Sequence, residues 1–183
     1  MNQLTSTKAL QWWKRIRYRG KQGFDSLAIK KRGKIPISYL IILPEHATES
    51  DLAKRFLESM RNALGPRKKR NMKLIGPEII GNLIDINEFS DYIFYSDEDL
   101  NRWGKPGKEL VSTCEKIKVD TVLDLNQEFA SASAALCKII SAPMKLGFYS
   151  EEGEKIYNIM IRRKGEDLAE SGFKEIFQIL GIE

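Results

Sequence analysis

Ile37-Ser-Tyr-Leu-Ile-Ile-Leu43, closed by Pro44, is the stretch on which the fold turns. It is a nearly continuous apolar run of strand length. Parallel sheets are covered by helices on both faces, so their central strands lack the apolar and polar alternation of a half-exposed strand. The run therefore predicts a buried central strand.

The pattern downstream agrees. Residues 50–64 predict a helix, with Leu52, Phe56, Met60 and Ala63 on one face and Leu57 and Leu64 widening it. Thr48 or Ser50 can cap its start, and Gly65-Pro66 closes it. Residues 72–75 read as a second strand, stopped by Gly76-Pro77, and residues 79–86 as a small helix. Strands follow at 91–95, 121–125, 144–148 and 156–161, with helices at 110–117, 130–140 and 167–180 between and after them. Strand and helix alternate at spacings that admit crossovers. That predicts an α/β class, an open three-layer sandwich with a mostly parallel, Rossmann-like sheet. The strand order is left open.

Upstream of the central strand the composition changes. The first 34 residues hold ten Lys and Arg against one acid, a charge of +9. The remaining 149 hold 20 bases and 24 acids, or −4, so the whole-chain charge of +5 conceals a basic arm on an acidic body. Residues 1–34 are read as a basic amphipathic arm and 35–183 as one Rossmann-like domain. Within the arm, residues 6–19 have helical spacing, with Trp12 and Trp13 beside Lys14, Arg15, Arg17 and Arg19. Indoles favour interfaces and cations favour anionic lipid, so these six residues are candidates for contact with a membrane or a protein partner. Docking of Trp13 onto the body and binding of nucleic acid stay open beside that reading. Arg67-Lys-Lys-Arg70 with Lys73 forms a second basic cluster.

Length and composition exclude other classes. A chain of 183 residues with 42% hydrophobic residues can bury a core without staples. Two cysteines make neither a disulfide framework nor a four-thiolate zinc site. No apolar run reaches the roughly 18 residues of a spanning helix, and the N-terminus lacks a signal-peptide core. A cytoplasmic protein is expected, with peripheral contact at the inner membrane face left open.

Ligands of an open parallel sheet bind beyond the carboxyl ends of its strands. That rule selects Glu45 and His46 after the first strand, Asp97 after the third, and Asp124 in the fourth as catalytic candidates. Asn126, Glu128 and Tyr149 are candidates for lining the crevice. His46 is the only histidine, and it would need a partner such as Glu45 or Asp97 to act as a base. Asp124 interrupts an apolar strand, so it needs compensation from the amides of the next helix or a ligand to orient. The first strand-to-helix turn, Leu-Pro-Glu-His-Ala-Thr-Glu-Ser-Asp, has no glycine for a dinucleotide fingerprint, and no phosphate-loop motif occurs elsewhere. No cofactor is expected, and no spacing supports a metal site.

Val119-Asp-Thr-Val-Leu-Asp-Leu-Asn126, the small-residue segment 131–137, and Ser141-Ala-Pro-Met-Lys-Leu-Gly-Phe148 resemble the N-terminal half of glycosyltransferase family 9, the lipopolysaccharide heptosyltransferases. Asp120 and residues 122–125 fit its "D-x-V-I-D-L" strand. Ala142, Pro143, Lys145, Gly147 and Phe148 fit its "G-A-P-x-R-I-G-F" segment. The resemblance implies half of a GT-B fold. Family members carry a Gly-Asp pair after the first strand, whose Asp is a proposed base; here Glu45 or His46 stands there instead. They also hold the sugar nucleotide mainly in a second domain, for which 35 residues after Phe148 do not suffice. Gly147-Phe-Tyr-Ser-Glu-Glu152 and Tyr157-Asn-Ile-Met-Ile161 are similar to segments of small bacterial proteins of uncharacterised activity. The expected function is a non-catalytic, glycosyltransferase-like binding or assembly component with a protein partner or a second copy. The alternatives are a related enzyme needing a partner domain, and a nucleic-acid-binding accessory protein.

Overall fold

The computed structural model describes residues 38–65, 71–86, 89, 91–162 and 169–182. The basic arm and Arg67–Arg70 lie outside the described residues. Six strands form one sheet: β1 (Tyr39–Ile42), β2 (Met72–Pro77), β3 (Asp91–Tyr95), β4 (Thr121–Asp124), β5 (Met144–Phe148) and β6 (Ile159–Ile161). Among the described residues the helices are α1 (Ser50–Leu64), α2 (Glu78–Gly81), α3 (Lys108–Glu115), α4 (Ser131–Ile139) and α5 (Ala169–Leu180). The sheet order is β3-β2-β1-β4-β5-β6, and every pair is parallel. The expected sandwich is thus present, with a fully parallel Rossmann-like sheet.

β1 is the central strand that its composition predicts. It pairs with β2 on one side and β4 on the other, with Ile42 opposite both Ile75 and Asp124. All four of its residues are buried. The period of two divides them between two cores. Tyr39, Ile41 and Leu43 join Phe56 and Met60 of α1 and Phe173 and Ile176 of α5. Leu40 and Ile42 join Leu110 and Cys114 of α3 and Leu136 and Cys137 of α4. Both cysteines are free thiols in that second core. Phe56 stacks on Phe177 with ring centroids 5.2 Å apart and meets Phe173 at 4.7 Å, so aromatic packing ties α1 to α5.

Helix α1 has the expected bounds, but its inward face is turned slightly. Ala53, Phe56, Leu57, Met60 and Leu64 are buried, Leu52 is half-buried, and Ala63 is exposed. The two large side chains Phe56 and Met60 set the centre of the face, and Ala63 has too little surface to compete. No Thr48 or Ser50 side chain caps α1. A turn of 3₁₀ helix, Ala47–Glu49, runs directly into it, with Glu49 as the N-cap residue. Gly65 ends the helix with φ +69° and donates its N–H to the Arg61 carbonyl at 3.0 Å.

The connection after β1 leads to one half of the sheet and β4 begins the other. The switch point therefore lies between the carboxyl ends of β1 and β4.

Candidate crevice at the sheet switch point

Asp124 is the last residue of β4 and is 2% exposed. Its Oδ2 accepts the Tyr157 hydroxyl at 2.6 Å. Its Oδ1 accepts the Asn126 backbone N–H at 3.0 Å and the Asn126 side-chain amide at 2.8 Å. Burial pushes the carboxyl up to about 6, the donors from Tyr157 and Asn126 oppose the rise, and the nearby Glu45 charge adds to it. The amides of α4 do not serve Asp124, as the sequence allows; they serve Glu45.

Asn126 is the hub. Besides Asp124, its amide donates to Ser133 Oγ at 2.9 Å, and its Oδ1 accepts the Glu45 N–H at 2.8 Å. The Glu45 carboxylate turns onto the start of α4, where Oε1 accepts the Ser133 N–H at 2.9 Å and the Ser133 hydroxyl at 3.0 Å. A carboxylate at a helix N-terminus satisfies a free amide and faces the positive end of the dipole. The chain of bonds Glu45, Ser133, Asn126, Asp124, Tyr157 thus bridges the switch point, and each member has a partner within it.

Tyr157 reaches Asp124 because two glycines clear its path. A Cβ on Gly147 would lie 2.9 Å from the Tyr157 ring, and one on Gly153 would also lie 2.9 Å from it. Tyr157 is buried, and its hydroxyl is held protonated by burial first and by the Asp124 charge second. The pattern of glycine and tyrosine between residues 147 and 157 therefore builds the crevice floor.

Beside this network, toward β2 and β3, lies a cavity of about 470 Å³. Glu45, Glu78, Asn82, Tyr95, Ser96 and Asp97 supply its polar lining. Pro77, Ile79, Leu100 and Ala132 supply apolar walls. Tyr95 is 3% exposed, and its Oη is sealed from solvent. Ser133 lies beside it: that hydroxyl donates to Glu45 and accepts from Asn126, and its second lone pair is left for Tyr95. Burial above all, then the Glu45 charge, holds the Tyr95 hydroxyl protonated.

The structure brings Glu45, Asp124 and Asn126 together. It leaves His46 exposed at the head of the 3₁₀ turn, with no side-chain bond to them. Asp97 is exposed at the cavity rim. Glu128 is exposed, and Tyr149 is exposed with the Arg162 guanidinium 4.1 Å above its ring. Trp12, Trp13, Lys14, Arg15, Arg17 and Arg19 lie outside the described residues. Ser133, Tyr157 and Tyr95 are the residues that sequence reasoning missed. The flanking Gly147 and Gly153 were the available signal for Tyr157. Among the described residues, no three His, Cys, Asp or Glu side chains cluster as metal ligands. Nor is any described helix long and apolar enough to cross a membrane.

These features define a class, the Rossmann-like half of a glycosyltransferase-like fold. A glycosyl transferase of family 9 from Veillonella parvula superposes with a TM-score of 0.54 at 16% identity, over 80% of this chain and 41% of that one. The E. coli heptosyltransferase WaaC with ADP superposes with a TM-score of 0.58 at 16% identity, over 79% of this chain and 48% of that one. The chain thus spans less than half the length of these transferases, and the likeness is one of fold. Residues 38–182 match DUF6913, and the chain belongs to this family of unknown function. No curated protein matches it in sequence.

Proposed function

We propose that the chain is a non-catalytic, glycosyltransferase-like binding or assembly component. One observation carries this reading: Glu45, the carboxylate in the loop after β1, is held by both the N–H and the hydroxyl of Ser133 as the cap of α4. A general base needs a lone pair aimed at a substrate proton. Oε1 of Glu45 is committed to the protein, and His46 is exposed. In this reading the basic arm holds the protein on an anionic membrane surface or a protein partner.

The test is turnover. The full chain is incubated with ADP-sugars and UDP-sugars, and nucleoside diphosphate release is followed. No release above buffer is expected. Release that Glu45→Gln abolishes would overturn the reading. For the arm, sedimentation with anionic vesicles should be lost on replacing Lys14, Arg15, Arg17 and Arg19 by Ser. Unchanged sedimentation excludes the arm as the membrane contact, and a salt-dependent RNA titration checks the nucleic-acid alternative.

A second reading, an enzyme completed by a partner domain, is favoured by a different feature. Ile79, Leu83, Trp103, Phe129 and Tyr149 are large, apolar and exposed, and all follow the carboxyl ends of strands. Release of nucleotide only when a partner protein is added would support that reading.

A further inference from the structure

Residues 74–101 hold seven acids and no Lys, Arg or His, against the +9 of residues 1–34. The fold gathers that stretch at one end of the sheet, because it comprises most of β2, all of α2 and the edge strand β3. Glu78, Asp85, Asp91, Asp97, Glu98 and Asp99 are exposed there, and Lys73 at the margin pairs with Asp91. The same edge is apolar. Ile79, Leu83 and Tyr92 are three of the six large hydrophobic side chains exposed among the described residues. Gly81, midway between Ile79 and Leu83, receives the Phe94 ring, which a Cβ there would meet at 2.6 Å. Phe94 in turn stacks on Tyr92 with ring centroids 5.1 Å apart. An exposed apolar surface rimmed by one sign of charge marks an interaction site, and this rim calls for a cationic partner with an apolar face.

We propose that this α2–β3 edge is the docking surface for the N-terminal arm of the same chain, residues 6–19. Leu10, Trp13 and Ile16 recur at helical spacing and match Ile79, Leu83 and Tyr92, while Lys14, Arg15, Arg17 and Arg19 match the acidic rim. The length of chain between them allows it. β1 starts at Tyr39, two strands from β3, or about 10 Å across the sheet. The 18 residues 20–37 span up to about 60 Å when extended, enough to reach any part of the edge. Such a tether sets an effective concentration of about 1 mM, so a contact with a Kd of about 0.1 mM keeps the arm docked about nine-tenths of the time. A separate copy at micromolar concentration competes poorly with that, which makes the chain's own arm the occupant. The docking goes beyond the proposed function, which gives the arm an outside partner. It supplies a resting place on the body, from which an anionic surface has to draw the arm.

The test uses the full chain carrying Trp103→Phe, so that Trp12 and Trp13 of the arm are its only tryptophans. Acrylamide should quench their fluorescence about threefold less than it quenches a synthetic peptide of residues 1–34. The protection should fall in high salt, which screens the rim. Ile79→Ser with Leu83→Ser should raise quenching of the full chain about twofold, as should the triple variant Glu78→Gln, Asp97→Asn, Glu98→Gln. All five positions are exposed, and a cooperative urea transition shows that each variant is folded. Protection should be the same from about 1 to 50 µM protein, as a tethered contact requires. Quenching equal to that of the peptide overturns the inference, and so does protection that survives both sets of substitutions. Protection that grows with protein concentration overturns the choice of occupant and assigns the edge to the arm of a second copy. Vesicle sedimentation reads the proposed function separately, since it can succeed or fail with the docking intact.

Discussion

Asp124→Asn should reverse its effect on stability with pH. In the folded chain the carboxyl is raised from 3.8 to about 6, chiefly by burial. A raised value means that the folded state holds the proton more tightly than the unfolded one. The associated stability is fully present below about 3.8 and is lost as pH rises through about 6. A shift of about two units corresponds to about 3 kcal/mol, and about 2 kcal/mol of it falls between pH 4.5 and 7.5. Asparagine keeps the shape and has no proton to lose. It cannot accept at both atoms, so it gives up one of the bonds from Tyr157 and Asn126, at about 1 kcal/mol. The variant should therefore be less stable than wild type at low pH and equal or more stable at pH 7.5. Urea unfolding of both proteins at pH 4.5, 6.0 and 7.5 reads the difference directly. It should move by about 2 kcal/mol in favour of the variant across that range. A difference that stays flat, or moves toward wild type, would refute the reasoning; Asp124 would then be an anion whose donors outweigh its burial.

Other substitutions probe the same network and the core. Tyr157→Phe strands a buried carboxylate oxygen and should cost about 2 kcal/mol in urea unfolding, more at pH 7.5 than at 4.5, because the lost donor served the ionised form. Gly147→Ala drives a methyl group against the Tyr157 ring and should cost about 1–3 kcal/mol, with loss of the Tyr157 near-ultraviolet dichroism signal. Glu45→Ala removes the cap of α4 and should cost about 1 kcal/mol, whereas Glu45→Gln keeps an acceptor for Ser133 and should cost less. Phe56→Ala, at the aromatic junction of α1 and α5, should cost about 3–5 kcal/mol by thermal or urea unfolding.

How much could be read in advance follows from what each residue's contacts depend on. β3 and β5 have the bounds expected of them, as does α1, because runs such as Met144–Phe148 combine strand composition with clear turn residues. The sixth strand shrank to Ile159–Ile161, since Ile156 and Tyr157 belong to the turn that delivers the Asp124 partner. The position of the Asp124 network was legible, for Asp124 and Asn126 fall at the carboxyl end of a strand whatever the strand order. The role of Glu45 was not. Its bonds go to Ser133, 88 positions away, and only the pairing of β1 with β4 brings the two together. Tyr95 was hidden for a related reason: as the last residue of β3 it reads as core, and only its place beside Ser133 and Glu45 marks it.

The split between network and cavity bears on where a ligand can act in this fold. In an open parallel sheet the switch point offers free strand ends and helix amides. Here that position is occupied from within. Glu45 takes the α4 amide, Asn126 fastens the β1 loop to β4, and Tyr157 reaches from beyond β5 to hold Asp124. The bonds of Glu45 to Asn126 and Ser133 join segments far apart in sequence and tie the two halves of the sheet together. The donors and acceptors spent on that task cannot also bind a ligand without breaking that tie. The cavity lies to one side, toward β2 and β3, and shares only Glu45 with the network. Substitutions at Asp124 should therefore show first in stability.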